Sequence, residues 1–353
     1  MNAFIIVYYA MLIGASCLAA YLKKRGAFLV LFSLTLASFI MGIIGGEPAL
    51  RTVTVIAVVL ILCAGTAYSF REFLATVLPG KSAEAMRTAP LTASFGLFVI
   101  GIYAIAGIFA PVIAPYGEAE IVGQAFAPMS EEMLLGADQL GRDLFSRIVY
   151  GARNTVGLAL AATLLAFLSG VLLGLVSAVR GGWFDQFMGR AADVVMSVPS
   201  LIFALLLLSI FGANLTMLVI IIAVIYSPRV FRLTRAVAGN VVVMDYFEAA
   251  RLRGEGMWYL IRKEVLPNST SPLVAEFGLE FCFVFLLLAG LSFLGLGIQP
   301  PAADWGSMVR ENATLISFGE ITPLIPAAAI ALLTVAVNFV VDWVLMRSSG
   351  LKE

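Results

Sequence analysis

Nine stretches of this chain are each about twenty residues long and almost wholly apolar, the length a helix needs to cross the hydrocarbon of a bilayer. They fall at 3–21, 26–45, 52–69, 92–113, 155–179, 187–211, 214–233, 272–296 and 322–346. In lipid, every backbone N–H and C=O must find its partner inside the segment, so such runs dictate helices. The expected fold class is therefore all-α, a polytopic membrane protein of about nine spans. The run at 187–211 is the least uniform, because Arg190, Asp193 and Pro199 interrupt it.

Composition agrees and excludes several kinds of chemistry. Of the 353 residues, 61% are hydrophobic and 12% charged, against roughly 45–50% and about 25% in a soluble domain. Lys+Arg and Asp+Glu balance at 22 each, so no basic face for nucleic acid emerges. The chain has no histidine, which removes Ser-His-Asp and Cys-His catalysis and HExxH zinc sites together. Cys17, Cys63 and Cys282 all lie inside apolar runs and read as small buried hydrophobes. The stretch LPGKSA at 78–83 looks like the tail of a phosphate-binding loop, but Ala75 stands where the motif needs its first glycine. No catalytic residue, metal ligand or cofactor is assigned to this chain.

Charge sets an expected orientation. With the loop at 22–25 in the cytoplasm, five inner regions carry 17 of the 22 Lys+Arg: 22–25, 71–90, 180–190, 229–263 and 347–353. The outer side keeps Arg51, Arg142, Arg147, Arg153 and Arg310. Positive charge favours the cytoplasmic face, so the N-terminus is expected outside and the C-terminus inside. Positive charge first appears after the run at 3–21, at Lys23, Lys24 and Arg25. A secretory signal has the reverse order, and 3–21 is expected to be a retained span.

The polar segment 71–90, with Pro79, Gly80 and Pro90, reads as a cytoplasmic linker. It divides an accessory three-helix region, 1–70, from a six-helix unit, 91–353. Within that unit the outer loop at 114–153 ends in LGRDLFSRIVYGARNTV, where Leu144, Ile148 and Val149 share one helical face. A helix lying along the outer membrane surface is expected there.

The inner loop 234–271 carries the most informative pattern. Residues 245–268 read DYFEAARLRGEGMWYLIRKEVLPN. Asp245 is placed to cap a short helix with Glu248 three residues on. Ala249, Ala250 and Leu252 continue it, and Gly254 and Gly256 permit a sharp turn. A second short helix, from Met257 to Val265, is expected to stop at Pro267. The product is a helix-turn-helix elbow outside the bilayer, small at its tip and basic at its flanks. It is either a docking device for another protein's groove or a solvated connection.

Glu248-Ala249-Ala250, then Gly254, then Leu266-Pro267 resembles the EAA motif of ABC importer permeases. The chain is further similar to the second permease of dipeptide, oligopeptide and nickel importers. LLGADQLGRDLFSRIVYGAR (134–153), RGGWFDQFMGRAADVVMSVPSL (180–201), LPNSTSPL (266–273) and LSFLGLGIQPPAADWGSMVRE (291–311) carry that likeness. It covers about 130–353, and residues 92–113 fit the family's first helix. The resemblance implies that Glu248, Ala249, Ala250, Arg251, Gly254, Leu266 and Pro267 couple to a cytoplasmic ATPase. It implies a second permease (a paralogue or another copy), two ABC ATPases holding ATP and magnesium, an extracytoplasmic solute-binding protein, and surrounding lipid. A peptide or related small solute, or nickel, would be the cargo. The chain departs from the family where His often precedes the Leu-Pro pair, having Glu264, and where Glu often precedes LSFLGLG, having Leu288. The three N-terminal runs also lie outside the usual six-helix pattern.

Carboxylates inside spans cost at least about 2.5–3.5 kcal/mol at the bilayer centre, and Asp193, Glu276, Glu280 and Asp342 lie in or near spans. Glu280 and Asp193 are the candidate residues of a cation-attracting solute path; pairing with Arg190 or Arg235 is the other reading. An ion-coupled secondary transporter using Asp193, Glu280 and Asp342 is the rival function. Gly170 and Gly174 form a GxxxG that lets two backbones approach.

Overall fold

The computed structural model describes residue 30, residues 48–318 and residues 320–348. The expected spans 3–21 and 26–45 lie outside the described residues, Val30 aside. Two compact units are present, Met1–Phe73 and Leu74–Glu353. The described part of the first is helix α1 (Pro48–Val77), which encloses the expected span 52–69 and whose last residues belong to the second unit.

Among the described residues the regular structure is helical, with isolated bridges only between Ile121 and Arg142 and between Ala137 and Asp143. After α2 (Lys81–Arg87) comes α3 (Leu91–Ile108), then α4 (Leu144–Gly151) and α5 (Gly157–Arg180). Next are α6 (Gly182–Met196), α7 (Ser200–Phe211) and α8 (Leu215–Val242). The series closes with α9 (Asp245–Leu252), α10 (Leu266–Phe293), α11 (Trp305–Asn312) and α12 (Leu324–Ser348). Among the described residues, five helical stretches are long and apolar enough to cross a membrane, and six if the bent pair α6–α7 counts as one.

Three elements differ from expectation. The surface helix expected around Leu144, Ile148 and Val149 is instead the first part of a continuous 37-residue stretch, Leu144–Arg180. A π-helical turn at Ala152–Val156 joins α4 to α5, and Leu144 and Val149 are buried. The run 187–211 is not one straight span: α6 and α7 meet at 89°. Pro199 stands at that corner, where it disfavours helical backbone in the residue before it. The segment 71–90, read as a linker, is helical through Val77 and again at α2, where Met86 and Ala89 are buried and pack with Leu97 and Trp343.

The six-helix unit packs through small residues, as expected where lipid offers no hydrophobic drive between helices. α5 lies on α8 at the GxxxG. A methyl group added at Gly170 would stand 2.7 Å from the Ser227 carbonyl, and one at Gly174 would stand 2.7 Å from Thr234 Cβ. α3 meets α12 at Gly96, where an added methyl would collide with the Ala336 carbonyl, and the Tyr103 hydroxyl donates to the Ala329 carbonyl at 3.0 Å. Around Phe285, Leu288, Leu291, Trp305 and Met308 these helices share one core. α5 and α8 run parallel, so Arg180 and Val242 finish at the same end of the bundle. Loop 114–143 lies at the other end.

Candidate functional site

The elbow follows directly from the end of α8. Its first helix, α9, has Met244 as its N-cap rather than Asp245, and no side chain caps it. Asp245 and Glu248 occupy its first turn, where negative charge suits the positive end of the helix dipole. Gly254, at φ +82°, closes it. The N–H of Gly254 donates to Arg251 O at 3.0 Å and that of Glu255 to Ala250 O at 3.3 Å, the paired bonds of a Schellman ending. The second arm is not a separate short helix. Met257–Tyr259, a π-helical turn at Leu260–Val265 and α10 form one continuous stretch to Phe293. Pro267 does not stop it: the chain passes through the π-helical turn directly before the proline and continues as helix.

The two alanines face different ways. Ala250 is buried with Phe247, Leu260, Ile261 and Val265 against Leu175, Ala238 and Val241, so it ties the elbow to the ends of α5 and α8. Ala249 is exposed, with Glu248, Arg251, Leu252 and Arg253. Leu252 is 79% exposed and forms the apolar tip, and Trp258 on the second arm is also exposed. Leu266 and Pro267 are exposed, whereas Val265 between the arms is buried.

The charged residues of the spans gather on one broad face of α8. Arg229, Arg232 and Arg235 are three residues apart, about 4.5 Å of rise per step. Each meets an acid from a neighbouring helix. Arg229 Nε lies 3.6 Å from Glu280 Oε1 on α10, and its guanidinium sits 4.3 Å from the centre of the Phe283 ring. Arg232 Nη1 lies 3.5 Å from Asp193 Oδ1 on α6, and Arg235 grips Asp185 of α6 through two nitrogens. Glu280 is 1% exposed and its Oε2 has no hydrogen-bond partner, while Arg229 is 41% exposed. Asp193 is exposed, as are Arg190 and Asp342. Glu276, one turn before Glu280, is half-buried. Sequence reasoning singled out the acids and missed Arg229, Arg232 and Asp185. The signal was the Arg-x-x-Arg-x-x-Arg spacing directly after Pro228, inside an apolar helix.

Residues 170–347 match the family described as "Binding-protein-dependent transport system inner membrane component". The chain belongs to this family. It is 34% identical over 254 residues to the di/tripeptide transport system permease protein DppC of Pseudomonas aeruginosa, covering 70% of this chain and 84% of that protein. The putative peptide permease protein BOV_A0350 of Brucella ovis is 36% identical over 255 residues, covering 71% of this chain and 84% of that one. The glutathione transport system permease protein GsiD of Pectobacterium atrosepticum is 32% identical over 252 residues, covering 70% and 82%. The protein is thus a multi-pass permease subunit of an ABC importer, a transport subunit rather than an enzyme. Such a permease carries no cofactor of its own and works in a complex with ATPase and binding protein. The ion-coupled alternative falls away.

At the end of the permease away from the elbow, loop 114–143 is held by a buried ionic cluster. Asp138 Oδ2 receives Arg142 Nε at 2.7 Å and stands 3.4 Å from Arg147 Nε; Glu311 Oε2 lies 3.1 Å from Arg142 and 3.4 Å from Arg147. Glu118 accepts from Asn154 at 2.9 Å and from the Ala303 N–H at 2.7 Å. Asp304 caps α11 by accepting from Ser307 N at 2.8 Å, and Thr155 donates to it at 2.9 Å. Burial pushes the Asp304 carboxyl above the usual aspartate range, and its hydrogen bonds draw it part of the way back. The loop is therefore a fixed cap on the bundle.

Proposed function

We propose that the permease imports peptides or peptide-like solutes, and that ATPase motion enters through the elbow 243–265. The supporting observation is the division of labour within α9: Ala250 locks the elbow to the bundle, while Leu252, Arg251 and Glu248 face outward. A rigid attachment on one side and an apolar tip on the other suit a part that is pushed. Two cytoplasmic ABC ATPases carrying ATP and magnesium dock there, with Glu248, Ala249, Ala250, Arg251, Gly254, Leu266 and Pro267 forming the coupling element. A second permease, paralogue or copy, completes the path. A solute-binding protein delivers cargo to the end capped by loop 114–143. The elbow is cytoplasmic, with the N-terminus outside and the C-terminus inside. Residues 1–70 form an accessory region, 71–90 the link to it, and 91–353 the permease domain. Glu280 and Asp193 belong to the solute path.

Peptide cargo is supported by the relatives' names. Reconstitution of the complete transporter tests the proposal. Uptake of labelled di- and tripeptides should require ATP and the binding protein, and a proton gradient alone should drive none. Uptake of nickel or of no peptide would refute the cargo assignment.

A further inference from the structure

We propose that the solute path presents cations, not anions, to what passes through it, and that the group it selects is the solute's carboxylate. This rests on the reading that the α8 face borders the path. The sequence shows acids inside spans and suggests a cation-attracting route, but the side chains are arranged the other way. Glu280 is buried at 1% exposure and reaches the accessible surface only through Arg229. Its role is to hold that guanidinium, together with the Phe283 ring beneath it. Arg232 is 59% exposed, and Arg235 is exposed while its Asp185 partner is largely covered. Three guanidinium groups therefore meet the accessible space, against one well-exposed carboxylate, Asp193, and two partly covered ones, Asp185 and Glu276.

Lipid is an unfavourable covering for Arg229, the fifteenth residue of a 28-residue helix, because an arginine is costly wherever it faces hydrocarbon and cheap only toward the interface; water or another protein surface is the favoured neighbour. The Arg232–Asp193 pair is solvent-exposed at 3.5 Å, and such pairs are weak enough to open for a better partner. A guanidinium binds a carboxylate through two parallel hydrogen bonds. A cavity of about 440 Å³ opens beside Arg232 and Arg235, bounded also by Asp185, Ser177, Ala236 and Asn240. The buried Ser177 hydroxyl in its wall has no hydrogen-bond partner. The row thus leads from Arg229, mid-helix, to a hollow at the elbow end.

The test places a thiol in that hollow, with Ala236→Cys and, separately, Asn240→Cys, both exposed positions. The complete transporter in nanodiscs, with ATPases and binding protein, is treated with methanethiosulfonates carrying either a sulfonate or a trimethylammonium group. Labelling of the native cysteines is subtracted using the parent protein. After correction for reaction with a free thiol, the sulfonate reagent should react about tenfold faster, and Arg229→Gln or Arg232→Gln should reduce that preference severalfold. A faster reaction with the trimethylammonium reagent, or a preference indifferent to both arginine substitutions, overturns the proposal. Reaction with neither reagent at either thiol, in any nucleotide state, is a different failure: it shows that this face is no path at all.

Discussion

The indole of Trp305 lies directly over Gly151 and donates to the carbonyl of Ile148 at 3.0 Å, locking α11 onto the π-turned junction of α4 and α5. A methyl group at Gly151 would stand 2.5 Å from the indole ring. Gly151→Ala should therefore destabilise the permease by about 1–3 kcal/mol, the usual cost of overpacking. Gly157→Ala, with nothing within 4 Å of the added methyl, should be neutral or slightly stabilising. Thermal unfolding in detergent distinguishes them, and equal melting temperatures would contradict this account of the junction.

Asp138 is the shared acceptor for two buried arginines. Asp138→Ala leaves Glu311 as the one carboxylate within ion-pair distance of Arg142 and Arg147, and removal of one member of a buried ionic group costs about 3–5 kcal/mol. The expected result is a large drop in melting temperature with new protease cleavage inside loop 114–143. A loop that stays protected would show that the cluster does not hold it.

Gly170 and Gly174 set the distance between α5 and α8. Gly170→Ala and Gly174→Ala should each lower stability, because backbone carbonyls and the Cβ atoms of Val230 and Thr234 block the added methyl. Gly189→Ala, which meets nothing within 4 Å, is the control. If the GxxxG variants match the control, packing at this contact is looser than described.

Asp304 gives a pH dependence with a definite sign. Its folded value lies above its unfolded one, so its contribution is full below the ordinary aspartate value and lost as pH rises through the raised value. Asp304→Asn removes that titration while keeping an acceptor for Ser307. The melting temperature of the variant minus that of the wild type should therefore increase with pH across the window. A difference that stays flat or falls would contradict the raised value.

Much of this was legible in the residues. Apolar length placed the spans of the described permease core, and Glu248-Ala249-Ala250 with Gly254 located the elbow. The ends of elements were harder. Pro267 looks like a stop, yet the helix runs on past it from the π-helical turn before it; Pro199 interrupts an apolar run that looked like one span, and a right-angle bend results. Side-chain partnerships were hidden for a different reason. Arg229 and Glu280 are 51 residues apart, and no local pattern says that the acid is buried and the base exposed. Ala250 likewise reads as a small residue for a partner to approach, whereas helix geometry turns it inward onto Val265 and Ala238.

Coupling through the elbow requires that Leu252, its apolar tip, meet an ATPase. A cysteine at that position, in the assembled transporter, can be joined by a short bifunctional thiol reagent to single cysteines placed around the ATPase surface. Leu252→Cys should crosslink to the ATPase in high yield and with a yield that changes on ATP binding, while Ala250→Cys, buried against the bundle, should give little. Absence of any Leu252→Cys crosslink to an ATPase, in a transporter that still takes up its solute, would contradict the coupling role of the elbow.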